Sequence, residues 1–213
     1  PRPATPSFQF ATRSIAIPKD AADALAALAR ATGASLFMTL MAAFAVLLHR
    51  YSLETDFCLG MPITGRTRVE TERLIGLFVN ILILRCRPER ELSFREFLAQ
   101  VRETALEAYA HSDVPFQRVV NELNPGRADG NSPLVQIVFS LDPVTPEAEA
   151  QSASIDTQQG TAKFDLALQL TEGCDGICGI LEYNTDLFEE ASIEMFSKSF
   201  LSLLDHIVQD PAC

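Results

Sequence analysis

Apolar and polar residues alternate along this chain in two spacings, one typical of strands and the other typical of helices. The segment FATRSIAI has the spacing of a strand, and Pro18 then begins a predicted helix that runs to about Thr32 and stops at Gly33. A second helix, almost wholly apolar, is predicted from about Ser35 to Tyr51.

The remaining pattern predicts further strands with helices between them. One helix, capped by Ser93, carries its apolar residues at intervals of three and four, a short helix follows Pro115, and a last helix runs from about Glu189 to Gln209. The strand-length runs, in chain order, are DFCLGMPI, LFVNILILRC, LVQIVFSL, KFDLALQL and ICGILEYN. Helices layered on a mixed sheet bury such faces, so the pattern predicts an α/β fold of the α+β sandwich type.

The run LIGLFVNILILR, residues 74–85, is unusual because Gly76 and Asn80 interrupt an otherwise apolar strand. The segment before it, residues 65–73, is rich in charge and is predicted to be an exposed loop between two strands. Residues 143–160 read as a second, longer loop.

Charge and hydropathy disfavour nucleic acid and membranes as partners. The 213 residues contain 17 Lys and Arg against 28 Asp and Glu, a formal net charge of −11, which disfavours nucleic acid and anionic membrane surfaces. The apolar stretch from Ala34 to Tyr51 is shorter than the roughly 20 residues of a membrane span and ends in His49 and Arg50, so a buried core helix is expected. No export signal is recognisable, and a cytoplasmic protein is predicted.

The sequence offers few groups for chemistry. The five cysteines form no CxxC pair and have no histidine cluster beside them, so reduced thiols and no metal site are expected. The three histidines lie in no metal-ligand pattern, and no nucleophile elbow or phosphate loop occurs. Adjacent His111, Ser112 and Asp113 form a poor triad because neighbouring side chains diverge, and a helix end is the simpler interpretation. Asp165 and Glu182 could pair as carboxylates, but single acids at strand positions are more often solvated or salt-bridged.

Several segments, taken in order, resemble the signature motifs of the condensation domain of nonribosomal peptide synthetases. They are GMPITGR, LIGLFVNILILR, HSDVPFQRVV and SPLVQIVFSL, followed by AKFDLALQL and GILEYNTDLF. The chain departs from the usual motifs at Ile81, Ser112, Gln117 and Val135, which leaves the subtype of condensation domain open. The stretch IGLFVN argues against an epimerization domain, which usually has tryptophan and threonine there.

The resemblance implies one lobe of a chloramphenicol-acetyltransferase-like fold, which has two lobes in a complete condensation domain. The catalytic signature HHxxxDG of the N-terminal lobe does not occur here, so residues 1–213 are expected to be the C-terminal lobe alone. Within it, residues 1–10 would be the remnant of the inter-lobe linker, residues 65–80 the floor-loop region, and residues 142–162 a latch that crosses to the other lobe.

The same resemblance assigns candidate residues but no catalytic residue and no metal ligand. Arg66 matches the arginine that pairs with the aspartate of HHxxxDG; its alternative is a solvated loop arginine. The candidates for the tunnel wall and floor are Thr64, Gly65, Gly76, Phe78 and Asn80. Gly76 would allow a close backbone approach, and Asn80 would offer a donor and an acceptor in an apolar wall or bind the backbone of a neighbouring loop.

In the family, an acceptor amine attacks a donor thioester and a peptide bond forms. The implied partners are the N-terminal lobe, donor and acceptor peptidyl carrier proteins that deliver phosphopantetheine, and an adjacent adenylation domain, with no cofactor bound directly. The chain alone is expected to fold but to be inactive, and the flank near FVN is expected to expose apolar surface. Two alternatives are a coenzyme A-dependent acyltransferase, whose DFGWG signature is absent, and a non-catalytic interaction module.

Overall fold

A computed structural model describes residues 7, 9–64, 74, 76, 78–89, 91–123, 134–143 and 164–211. Within these ranges the chain forms one mixed sheet covered by helices, which confirms the predicted fold class. The strands are β1 (Phe10–Pro18), β2 (Phe57–Thr64), β3 (Val79–Cys86), β4 (Ile137–Asp142), β5 (Leu166–Gly173) and β6 (Gly176–Asn184). The helices are α1 (Lys19–Thr32), α2 (Leu36–Ser52), α3 (Phe94–Ala110), α4 (Phe116–Leu123) and α5 (Glu190–Gln209).

The six strands have the order β1-β6-β5-β4-β2-β3. β1, β6 and β5 are mutually antiparallel, β4 is parallel to β5 and to β2, and β2 pairs antiparallel with β3. In the parallel pairing of β2 with β4, Gly60 lies opposite Val138. β3 therefore lies at one edge of the sheet.

Helix α2 is the centre of the core. Its Phe44 is fully buried and lies 5.8 Å from the ring centroid of Phe139 in β4. The Phe44 ring also makes edge-to-face contacts with Phe196 and Phe200 of α5, with centroid distances of 6.1 Å and 6.0 Å. Such aromatic contacts join α2, α5 and the sheet into one core, as expected for a buried apolar helix.

The helix boundaries follow the local signals in the sequence. Ser35 caps α2 by accepting a hydrogen bond from the backbone N–H of Met38, and Ser93 forms a capping box with Glu96 at the start of α3. Gly33 ends α1 with φ at 67°, a left-handed conformation that glycine adopts without strain.

A second, smaller apolar cluster lies on the opposite face of the sheet. Its buried residues are Val135, Val138 and Ala167, and side chains in β4 and β5 alternate between this cluster and the main core. A Cβ atom added at Gly60 would lie 2.6 Å from Cγ1 of Val135, so β2 passes the cluster closely only because residue 60 has no side chain. Phe116 at the start of α4 packs against the same cluster.

Residues of the predicted linker, floor-loop and latch regions are only partly described. Residues 1–6, 8, 65–73, 75, 77 and 144–162 lie outside the described residues. Ser7 donates its backbone N–H and its hydroxyl to the Asp186 carboxylate at 2.7 Å each, and these bonds hold the pKa of Asp186 below its usual value. β1 begins at Phe10, the last residue of the predicted linker.

In the described part of the chain no single helix is long and apolar enough to cross a membrane. α1 and α2 meet that criterion only as a pair and are bent by 103° at the break between them.

Candidate functional site at the start of β3

Asn80 joins the start of β3 to the turn that leads into α4. Its side-chain Nδ2 donates to the carbonyl oxygens of Ser112 at 3.2 Å and Val114 at 2.9 Å. Its Oδ1 accepts a hydrogen bond from the backbone N–H of Phe116 at 2.9 Å. The amide therefore satisfies three backbone groups of one turn, including an N–H at the start of α4 that has no partner within the helix.

This geometry corresponds to one of the two interpretations of Asn80 in the sequence, the bond to a neighbouring loop backbone. Both donor hydrogens of the amide are used by carbonyl groups, so Asn80 has no donor left for a substrate. Its side chain is half-buried rather than exposed. The residue holds strand and turn together.

The neighbour of Gly76 is an aromatic side chain. A Cβ atom added at Gly76 would lie 3.1 Å from Cε2 of Phe78, and the glycine itself is exposed. Among the described residues the close contact at Gly76 is with the Phe78 ring, and the close backbone approach expected at Gly76 stays a prediction. Phe78 is half-buried.

Two apolar side chains beside this site are exposed. Leu74 is 53% exposed and Val79, the first residue of β3, is 60% exposed. Val79 pairs across the strands with Thr64, the exposed last residue of β2. These two side chains lie at the flank near FVN, where the resemblance predicts an apolar surface that another lobe covers, and that cover stays a prediction.

The far end of β3 has a different character. Arg85 donates through Nε to Oδ1 of Asp56 at 2.7 Å, and Arg87 lies 3.5 Å from the same carboxylate. The hydrogen bond from Arg85 is the main reason why the pKa of Asp56 lies below its usual value. These charges are exposed and stabilise the fold little, but they protect this end of an edge strand from pairing with another chain.

The histidine of the HSD segment and two cysteines lie in structural positions. His111 caps the C-terminal end of α3 through its backbone N–H, which confirms the helix-end interpretation of the HSD segment. Burial raises the pKa of the Cys86 thiol to about 12 and also raises that of Cys58, so neither is a thiolate near neutral pH. Within the described ranges no cluster of three metal-ligating side chains occurs.

Gly65 and Arg66 lie outside the described residues, so their predicted roles at the floor and at the lobe contact stay predictions. The sequence interpretation missed the turn from Ser112 to Phe116 as the partner of Asn80. The sequence did carry a signal. A polar side chain buried inside a strand needs hydrogen-bond partners, and the backbone groups of a nearby turn can supply them.

Comparison with known proteins gives matches that cover nearly the whole chain. The family model described as Condensation domain matches residues 1–213. A linear gramicidin synthase of Brevibacillus parabrevis is 43% identical over 217 residues, covering 99% of this chain and 4% of that protein.

Solved structures share the fold. A four-domain nonribosomal peptide synthetase, bound to AMP and glycine, matches with a TM-score of 0.91 and 24% identity over 100% of this chain and 18% of that one. The X-domain of teicoplanin biosynthesis, in complex with OxyB, matches with a TM-score of 0.89 and 26% identity over 100% of this chain and 48% of that one. This chain therefore spans a small part of the large synthases and about half of the X-domain chain.

Proposed function

Because the chain belongs to the condensation domain family, we propose that it is the C-terminal lobe of a domain that forms peptide bonds in a nonribosomal peptide synthetase. The observation that carries the proposal is the match of the family model to residues 1–213, the whole chain. The 43% identity to a linear gramicidin synthase supports the peptide synthetase over other users of the fold.

The chemistry would need a second lobe. The chain contains no HHxxxDG motif, and within the described ranges no cluster of three metal-ligating side chains occurs. The chain also covers only 48% of the solved X-domain chain. These observations support a two-lobed domain. The other lobe would supply the catalytic histidine, and this lobe would complete the substrate tunnel.

The candidate residues of this lobe would have different tasks. Asn80 would shape the tunnel wall by holding the turn from Ser112 to Phe116 against β3, while Phe78 and Thr64 lie beside it. Arg66 would hold the HHxxxDG loop through its aspartate. Residues 142–162 would form the latch.

Substrates would arrive on carrier proteins. A donor acyl or peptidyl group and an acceptor aminoacyl group would each be attached to phosphopantetheine on its own carrier, so this lobe binds no cofactor itself. The acceptor amine would attack the donor thioester carbonyl, the amine would lose a proton, and the donor's pantetheine thiol would leave. An adjacent adenylation domain would load the acceptor carrier, and the assembly would be cytoplasmic.

A second candidate function is a non-catalytic interaction module. One observation favours it, namely that the X-domain, which has the same fold, was solved as a complex with OxyB. The two candidates differ in whether the complete domain turns over thioesters.

The test uses the complete two-lobed domain with its own carrier proteins. With an aminoacyl donor on one carrier and an aminoacyl acceptor on the other, we expect a dipeptidyl thioester on the acceptor carrier, detected by mass spectrometry of the intact carrier. The same donor group on coenzyme A is the control and should react more slowly. Efficient use of the coenzyme A donor would favour the acyltransferase, and a folded domain without any product would favour the interaction module.

A further inference from the structure

Ser7 ties the chain before β1 to the turn that joins β6 to α5. β1 begins at Phe10, opposite Asn184, and the regular pairing of β1 with β6 ends there. Three residues before Phe10, Ser7 donates its backbone N–H and its hydroxyl to the two carboxylate oxygens of Asp186, at 2.7 Å each. The two residues are 179 positions apart in the sequence. We call this pair of hydrogen bonds the Ser7–Asp186 clamp.

Asp186 belongs to a turn that is anchored to the core. Asn184 is buried, and its Oδ1 accepts a hydrogen bond from the backbone N–H of Asp186 at 2.8 Å. The backbone carbonyl group of Asn184 accepts from the N–H groups of Leu187 and Phe188 at 3.1 Å each. Phe188 in turn packs against the main core. The clamp therefore fastens Ser7 to a fixed part of this lobe.

The clamp orders the chain before β1 and not the core. Ser7 is exposed, and neither Ser7 nor Asp186 belongs to the apolar clusters of the core. The hydrogen bond from the Ser7 hydroxyl, followed by the one from its N–H, lowers the pKa of Asp186, so this group is a carboxylate at neutral pH. Hydrogen bonds to a carboxylate are shorter and stronger than those between neutral groups. The clamp thus has the chemistry of a specific point of attachment.

We propose that Asp186 is a positioning residue for condensation, because it sets the point at which the connection to the other lobe meets this lobe. The inference rests on the proposed function, in which the N-terminal lobe precedes this chain and residues 1–10 join the two. With the clamp closed, that connection ends at Ser7. Without the clamp, the next described tie is the hydrogen bond from the backbone N–H of Thr185 to the carbonyl oxygen of Gln9, at 3.1 Å.

The clamp changes the free length of the connection between the lobes. Moving the last point of attachment from Ser7 to Gln9 releases two residues, which span about 7 Å when extended. In the proposed domain the catalytic histidine belongs to one lobe and part of the tunnel belongs to the other, so the reacting groups depend on how the two lobes are placed. A misplacement of about 1 Å can slow a reaction by roughly a hundredfold. A shorter connection therefore favours the productive arrangement of the lobes.

The experiment compares three substitutions in the complete two-lobed domain. Asp186→Ala removes both hydrogen bonds, and we expect kcat to fall by about tenfold while KM for the carrier-bound substrates stays unchanged, as for a loss of alignment without a loss of binding. Asp186→Asn should restore most of kcat, because an amide can accept from the Ser7 N–H and donate to the Ser7 hydroxyl oxygen. Asp175→Ala is the matched control, since Asp175 is an exposed acid in the hairpin turn at the other end of β6.

Ser7→Ala tests the same contact from its other side, and it serves if Asp186→Ala does not fold. This substitution removes the hydroxyl bond and keeps the backbone bond, so its kcat should lie between those of the natural sequence and Asp186→Ala. Added to Asp186→Ala, it should change kcat much less than it does alone, because its partner is already gone. Equal effects of Ser7→Ala in both backgrounds would overturn the inference.

Two measurements follow the clamp without turnover. Hydrogen–deuterium exchange should show that Asp186→Ala loses protection in peptides covering residues 7–10, while helix α2 stays protected and Asp175→Ala changes neither. Double electron–electron resonance measures the distance between a spin label on the other lobe and one at position 195 on α5, where Met195 is 62% exposed. That distance should become more widely distributed in Asp186→Ala.

Each contrary result has one meaning. Lost protection with a normal kcat and an unchanged distance would show that the clamp orders only the chain before β1, and the positioning role would be wrong. Unchanged protection would show that the clamp holds nothing, and a raised KM with an unchanged kcat would make Asp186 part of a binding surface. A natural domain that makes no dipeptide would contradict the proposed function, whereas the distance measurement would still decide whether Asp186 positions the lobes.

Discussion

Replacing Asn80 with alanine is expected to destabilise the fold more than it affects substrate binding. The substitution removes three hydrogen bonds and leaves the backbone N–H of Phe116 and the carbonyl groups of Ser112 and Val114 without that partner. For half-buried groups the free energy of unfolding should fall by about 2 kcal/mol. Thermal melting should then shift downwards by about 4 to 8 °C for a chain of this size.

An aspartate at position 80 distinguishes a structural amide from a substrate contact. At neutral pH, Asn80→Asp can still accept from Phe116 but places a carboxylate against two carbonyl oxygens, so it should melt lower than the alanine variant. Asn121→Ala is the control, because Asn121 is exposed and bonds only one side chain in the described structure. If Asn80→Ala melted normally and lost turnover alone, Asn80 would be a substrate-binding residue and its assignment to the turn would be wrong.

Replacing Arg66 with alanine in the complete domain is expected to reduce condensation strongly while this lobe stays folded. By resemblance to the family, Arg66 would pair with the aspartate of the HHxxxDG loop, and this aspartate would lose its charge partner at the lobe contact. Removing one member of a fully buried pair costs roughly 3 to 5 kcal/mol, and less where water reaches it. Turnover should fall more than the affinity for carrier proteins, because the carriers are expected to dock elsewhere on the lobe.

A lysine at position 66 serves as the graded control. It keeps the positive charge but cannot reproduce the forked contacts of a guanidinium group, so only part of the activity should return. Condensation rate and melting temperature should be measured for both variants. A near-normal rate for Arg66→Ala would mean that Arg66 is a solvated loop residue and that the lobe contact was assigned wrongly.

Local features of the fold could be predicted from the sequence because their causes are local. Gly33 ends α1 where a left-handed residue is needed, and Ser93 starts α3 with a capping box that its own neighbours complete. The apolar length of α2 was enough to predict a core helix. The glycine stop and the capping box each act within about one helical turn.

Contacts between distant segments could not be predicted in the same way. The bonds from Asn80 to Ser112 and Val114 span 32 and 34 residues, and the sequence left the partner of the amide open. Position 60 needs a glycine because Val135 packs against it. This contact becomes visible only once β2 is paired with β4. The packing of Phe116 on the cluster of Val135, Val138 and Ala167 is likewise a property of the folded chain.

The central claim is that this chain completes a condensation site without containing one. The most direct measurement compares four samples, namely the 213-residue chain, the separately purified other lobe, the two combined, and the complete domain, each with aminoacyl donor and acceptor carriers. We predict dipeptidyl thioester from the complete domain and from the combined lobes if they associate, and only the buffer background from this chain. Product formed by this chain alone, above the buffer control, would contradict the account.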